Sequence, residues 1–94
     1  MAVTVLIKRK VTYGNGELLE NLYQELVELA KEQKGYLGAD TMRRVDVPDE
    51  YLIISRWERI EDWSKWLISE GRRSFQERID ALTDSKTRFE IYEH

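Results

Sequence analysis

Cysteine is absent, proline occurs once, and histidine occurs once as the last residue, His94, of a 94-residue chain. Without cysteine there are no disulfides, no thiolate nucleophile and no thiolate metal site. A lone terminal histidine also removes Ser-His, Cys-His and histidine-cluster chemistries. No apolar run approaches the roughly 20 residues that span a bilayer, and Met1 to Ile7 is too short for a signal-peptide core, so the expected localisation is cytoplasmic. A positive surplus is missing too. With 15 Lys and Arg against 18 Asp and Glu the net charge is -3, which argues against phosphate backbones and anionic membrane surfaces as partners. What remains, 41% hydrophobic and 35% charged residues, is the balance of a folded single domain, expected over residues 1–94.

Ala2 to Val11 opens with β-branched residues and reads as a strand. Val3, Val5 and Ile7 share one face of it, and Ala2, Thr4 and Leu6 the other, so both faces call for cover. Tyr13-Gly14-Asn15-Gly16 is a turn cluster in which Asn15 can cap a following helix. From Glu17 to Lys34, Leu19, Leu22, Tyr23, Leu26, Leu29 and Ala30 recur at helical spacing, and Gly35 ends the helix in the left-handed conformation. Tyr36 to Val45 and Tyr51 to Glu58 read as a hairpin around Pro48 and Asp49. Ile60, Trp63 and Leu67 start a second helix. It is expected to break between Ser69 and Gly71, with Ser69 capping a segment that carries Phe75, Ile79 and Leu82. Thr87, Phe89 and Ile91 alternate with Arg88, Glu90 and Tyr92 in a closing strand.

The order β-α-β-β-α-β predicts an α+β, ferredoxin-like fold: a four-stranded antiparallel sheet with both helices on one face. The opposite face stays apolar. An exposed apolar sheet face marks an association surface, and a second sheet is the simplest cover, so a homodimer paired sheet to sheet is expected.

Gly35-Tyr36-Leu37 after the first helix, Pro48-Asp49-Glu50-Tyr51 in the hairpin, Trp57-Glu58 closing the third strand, Trp63 and Trp66-Leu67 together resemble the antibiotic biosynthesis monooxygenase domain. The resemblance runs over essentially the whole chain. It implies a dimeric α+β barrel, and its best understood members oxygenate aromatic polyketides or quinols with no metal or flavin, so no cofactor is expected. Other members degrade haem, and one branch isomerises a small signalling molecule. Haem-degrading relatives use an Asn on strand one, a Trp on helix two and a His about ten positions further. Ile7, Trp66 and Gln76 stand there in this chain, and Gln76 is no substitute for a neutral imidazole ligand, which disfavours haem degradation. Polyketide-oxygenating relatives place a Trp at the end of strand three and an aromatic residue six positions later, matching Trp57 and Trp63. Their helix-two Arg falls on Glu77, with Arg78 one residue and about 100° away. Their Ser at the start of helix two is Arg59 here.

Trp57, Trp63 and Trp66 suit a planar ligand by stacking and area burial, although core packing accounts for large aromatics equally well. Tyr23 and Tyr36 offer phenol hydroxyls, or sit at the core boundary. Cofactor-free oxygenation requires a substrate that ionises to an electron-rich anion, so a cation or donor aimed at the oxyanion is expected. Arg9, Arg43, Arg56, Arg72, Arg73 and Arg78 are the candidates. Arg9 shares the face of Ile7, and Arg72 and Arg73 follow Gly71 at the helix break, with a solvated position as the plainer reading for all three. The expected substrate-binding set is Trp57, Trp63, Trp66, Ile7, Arg9 and Gln76. No catalytic acid/base pair is defined, because the acidic residues, Asp62 and Glu77 among them, mostly fall on solvent faces of helices. Asp46, Asp49 and Glu50 lack the glycine and spacing of a calcium loop, so no metal site is expected. The alternatives are a non-catalytic dimeric module that binds a hydrophobic metabolite or serves in stress response, and a small-molecule isomerase of the same superfamily.

Overall fold

The computed structural model describes residues 1–11, 14–83 and 89–94. Strand β1 (Val3–Lys10) is followed by α1 (Gly16–Ala30), β2 (Tyr36–Arg43), β3 (Glu50–Trp57), α2 (Ile60–Leu67), α3 (Glu70–Leu82) and β4 (Phe89–Glu93). The strands form one four-stranded sheet in the order β2-β3-β1-β4 with every neighbouring pair antiparallel. This is the expected ferredoxin-like α+β fold, with the second helix divided in two. The turn at Tyr13 and the start of the closing strand at Thr87 and Arg88 lie outside the described residues. No described helix is long and apolar enough to cross a membrane.

Alternation along β1 sends Val3, Val5, Ile7 and Arg9 to the helix side, where all four are buried. Val3, Val5 and Ile7 meet Leu19, Leu22, Tyr23 and Leu26 of α1 and Ile79 of α3 in one core, each large apolar side chain contributing about 1.5–3 kcal/mol by its burial. Asn15 occupies the N-cap of α1 but its side chain makes no capping bond, contrary to expectation. The helix ends at Ala30, with the Lys31 amide still donating to the Val27 carbonyl and the Glu32 and Gln33 amides to Leu29 and Ala30 in tighter turns that lead to Gly35 at φ +84°. Ser69 caps α3 as expected, accepting from the Arg72 amide and donating to the Trp66 carbonyl.

The hairpin loop is fastened by Arg44, whose guanidinium reaches Asp46 at 2.7 Å and Glu50 at 2.6 Å. On the face away from the helices Leu6 lies opposite Ile54, and Leu52 opposite Met42. Tyr92, 54% exposed, lies opposite Thr4. The ion pairs Lys8–Glu90 at 3.6 Å and Arg56–Asp40 at 3.2 Å flank this apolar strip.

Candidate functional site

Between the sheet and the helices lies a cavity of about 50 Å³ to which every element contributes a wall. Ile7 of β1 and Ile53, Ser55 and Trp57 of β3 form its floor. Tyr23, Leu26, Val27 and Ala30, spaced at three and four on α1, form one side. Trp63 and Trp66 of α2, Arg72, Gln76 and Ile79 of α3, and Phe89 of β4 form the other. Tyr36 and Ala39 of β2 complete it. These two are three residues apart, which regular alternation would place on opposite faces. A register shift between Tyr36 and Gly38 inserts an extra residue and turns both inward.

The aromatic part is closely held. Trp57 is fully buried, packs edge-on against Tyr36 at 5.5 Å between ring centroids, lies 6.1 Å from Trp66, and donates its indole N–H to Ser55 at 3.2 Å. Trp63 meets Phe89 edge-on at 5.3 Å.

The polar part is on α3. Arg72, 8% exposed, is the only charged side chain among the described residues lining the cavity. It donates to the Leu67 carbonyl at 3.3 Å and to Gln76 Oε1 at 2.9 Å, and its guanidinium lies 5.5 Å from the centre of the Phe89 ring. Gln76 donates in turn to Asp80 at 2.8 Å. Burial pulls the Arg72 guanidinium below its ordinary pKa; the Arg9 charge adds to this, against Tyr23 and Asp80. No carboxylate lies within ion-pair distance of Arg72 among the described residues. Burial likewise pushes the Tyr23 phenol up, opposed by the Arg9 charge and by a hydrogen bond with Arg9.

Of the six residues expected to bind substrate, Trp57, Trp63, Trp66, Ile7 and Gln76 meet around this one cavity. Arg9 does not line it. It is buried behind Tyr23, neither solvated nor facing the cavity, with its guanidinium 3.4 Å from both Asp80 Oδ1 and Thr83 Oγ1. The solvated reading also fails for Arg72, whereas Arg73 is exposed and Arg78 lies on the surface beside Glu25 at 3.8 Å. Asp62 departs from the solvent-face reading of the acidic residues, being 6% exposed and turned toward Gly35.

The sequence matches the antibiotic biosynthesis monooxygenase family over residues 2–78. The chain belongs to the antibiotic biosynthesis monooxygenase family. Solved structures similar to this family member over nearly its whole length include a conserved protein from Methanosarcina mazei, 17% identical, with a TM-score of 0.91 over 99% of this chain and 92% of that one. Another is SnoaB, a cofactor-independent oxygenase from Streptomyces nogalater, also 17% identical, with a TM-score of 0.88 over 99% of this chain and 92% of that one. At such identity the likeness carries the fold alone. No curated protein matches. The cavity residues outside the expected substrate-binding set include Arg72, Tyr23, Tyr36, Ala39 and Phe89, of which Tyr36 stands in the Gly35-Tyr36-Leu37 motif that carries the resemblance. Tyr23 was signalled by its phenol and by its place on the apolar stripe of α1.

Proposed function

We propose that this protein is a cofactor-independent monooxygenase acting on a small electron-rich aromatic of the quinol or anthrone type, and that it works as a homodimer paired through the outer face of the sheet. The observation that carries the reading is a buried guanidinium, Arg72, with no carboxylate partner among the described residues, in a cavity whose other described walls are uncharged and, apart from Ser55 and Gln76, aromatic or aliphatic. Tryptophan walls suit a planar ring. A desolvated cation beside that ring favours the ionised form of a bound phenol or enol, and the released proton passes to water. The anion transfers one electron to dioxygen, and the resulting pair combines with formation of a carbon–oxygen bond. The peroxide anion takes back a proton from water, and loss of water from the hydroperoxide then leaves a carbonyl at that carbon. One oxygen atom stays in the product and the other departs as water, so no outside reductant is consumed. No carboxylate lines the cavity among the described residues, so the protein's part is to hold the anion, orient the ring and exclude water.

Oxygen uptake with anthrone in chelator-treated buffer tests this reading, with heat-denatured protein as the blank. Uptake well above the blank, one dioxygen per anthraquinone formed, is the expected result. Uptake equal to the blank would shift the assignment to the non-catalytic binding module. The dimer is tested by light scattering at micromolar protein. Wild type should give about twice the 11.2 kDa of the chain. Ile54→Glu, which sets a charge in the middle of the outer apolar strip, should give the single-chain mass.

A further inference from the structure

The tryptophan-lined cavity is too small for the ligand its walls suit. At about 50 Å³ it falls far below the roughly 300–1,000 Å³ of a small-molecule site. An open cleft of about 580 Å³ lies against it between α1 and β2, and the same three side chains, Tyr23, Val27 and Ala39, line both spaces. They are the partition. Tyr23 is buried and tied to Arg9, whereas Val27 and Ala39 are small, apolar and half-buried. Elsewhere the described walls are the buried Trp57, Trp63, Trp66 and Ile79, none more than 7% exposed, with the half-buried Tyr36, Ser55, Gln76 and Phe89 between them. β2 is an edge strand hydrogen-bonded to β3 alone, and the bulge beside Gly38 interrupts that ladder. Moving it away from α1 therefore disturbs fewer hydrogen bonds than moving a central strand.

The two spaces differ in character. The inner one is aromatic. The outer one is lined by Gln24, Glu28, Asp40 and Thr41, whose oxygens accept hydrogen bonds from hydroxyl groups. Glu28 and Asp40 each hold one cation at the rim, Lys31 at 3.0 Å and Arg56 at 3.2 Å, which leaves further carboxylate lone pairs open to a ligand.

We infer that the α1–β2 cleft is the outer half of the ligand site and its entrance, opened where Val27 faces Ala39. Its ligand is a hydroxylated fused-ring aromatic, with the ring lodged among the tryptophans and a hydroxyl-bearing end left in the cleft. This rests on the reading of the tryptophan-lined cavity as the ligand site, and it is independent of turnover.

The test is stopped-flow quenching of tryptophan emission by 2,6-dihydroxynaphthalene, with circular dichroism to confirm that each variant is folded. Ala39→Leu thickens the partition and should slow association at least tenfold. Val27→Ala thins it and should speed association several-fold, so the two variants bracket wild type from opposite sides. Saturable quenching at the same rate in all three proteins would place the entrance elsewhere and overturn this inference, while leaving the cavity as the ligand site. Absence of saturable quenching in wild type would overturn both.

Discussion

Arg72→Met is expected to lower turnover of an anthrone by about 10²- to 10³-fold, the range for loss of one preorganised group that stabilises a developing oxyanion. The charge sits where it acts most strongly. Its guanidinium is buried, aimed into the cavity and without a carboxylate partner among the described residues, and burial holds its pKa down because nothing nearby fully compensates the charge. An anionic substrate supplies the missing compensation, so binding the anion and relieving the desolvated cation are one event. Methionine fills similar volume without charge. Stability should change little, because losing the bonds to the Leu67 carbonyl and Gln76 Oε1 costs about 1–3 kcal/mol each, and removing a buried, unmatched cation offsets that. The informative outcome is therefore a fall in kcat at an unchanged melting temperature. Arg72→Lys, which keeps the charge but not the fork that grips Leu67 and Gln76, should recover part of the rate. Wild-type kcat in Arg72→Met would remove the guanidinium from the chemistry.

Arg72 also shows where sequence reasoning stops. In an uninterrupted helix it would stand six residues, about 240°, from Trp66 and would point away from the core. The break at Ser69 resets that phase. The break itself was legible from the Ser69 cap, but not the angle at which α3 restarts, which depends on how Ile79 packs under α1. Tyr36 and Ala39 fail for a related reason. One extra residue in β2 reverses the alternation between them, and a bulge leaves no mark in residue types when Leu37 is the residue inserted. Asp62 was misplaced because helix periodicity ranks a carboxylate by its azimuth, whereas the bare backbone of Gly35 leaves room for it against the turn. The parts read well were those fixed by local chemistry and alternation: the apolar faces of β1, the left-handed Gly35, the capped restart at Ser69 and the element order. These position Trp57, Trp63 and Trp66 around one space, so the aromatic half of the cavity was legible while the placement of Arg72 and of Ala39 was not.

Gly35→Ala should be among the most destabilising single-methyl changes available to the fold. Gly35 has φ +84°, where a side chain costs about 1–2 kcal/mol through its clash with the following carbonyl. A Cβ at this position would overlap the Asp62 carboxylate and stand 2.7 Å from Asp62 Cβ, adding an overpacking cost of about 1–3 kcal/mol. Together these remove about 3 kcal/mol from a total that for a domain of this size is about 5–15 kcal/mol, lowering the melting temperature by on the order of 15 °C. The consequence reaches the site, because the Gly35 carbonyl accepts from the Glu58 amide at 2.7 Å, holding the start of β2 against the end of β3 where Tyr36 meets Trp57. A double-mutant cycle separates the two contributions. Asp62→Ala alone should cost little, since its carboxylate accepts no hydrogen bond among the described residues and gains only from its place in the first turn of α2. In that background Gly35→Ala should cost about 1 kcal/mol less than in wild type, because the carboxylate overlap is gone. The backbone cost and the close Cβ remain. Strictly additive losses in the two backgrounds would mean that the turn yields without touching Asp62, and the steric half of the argument would fall.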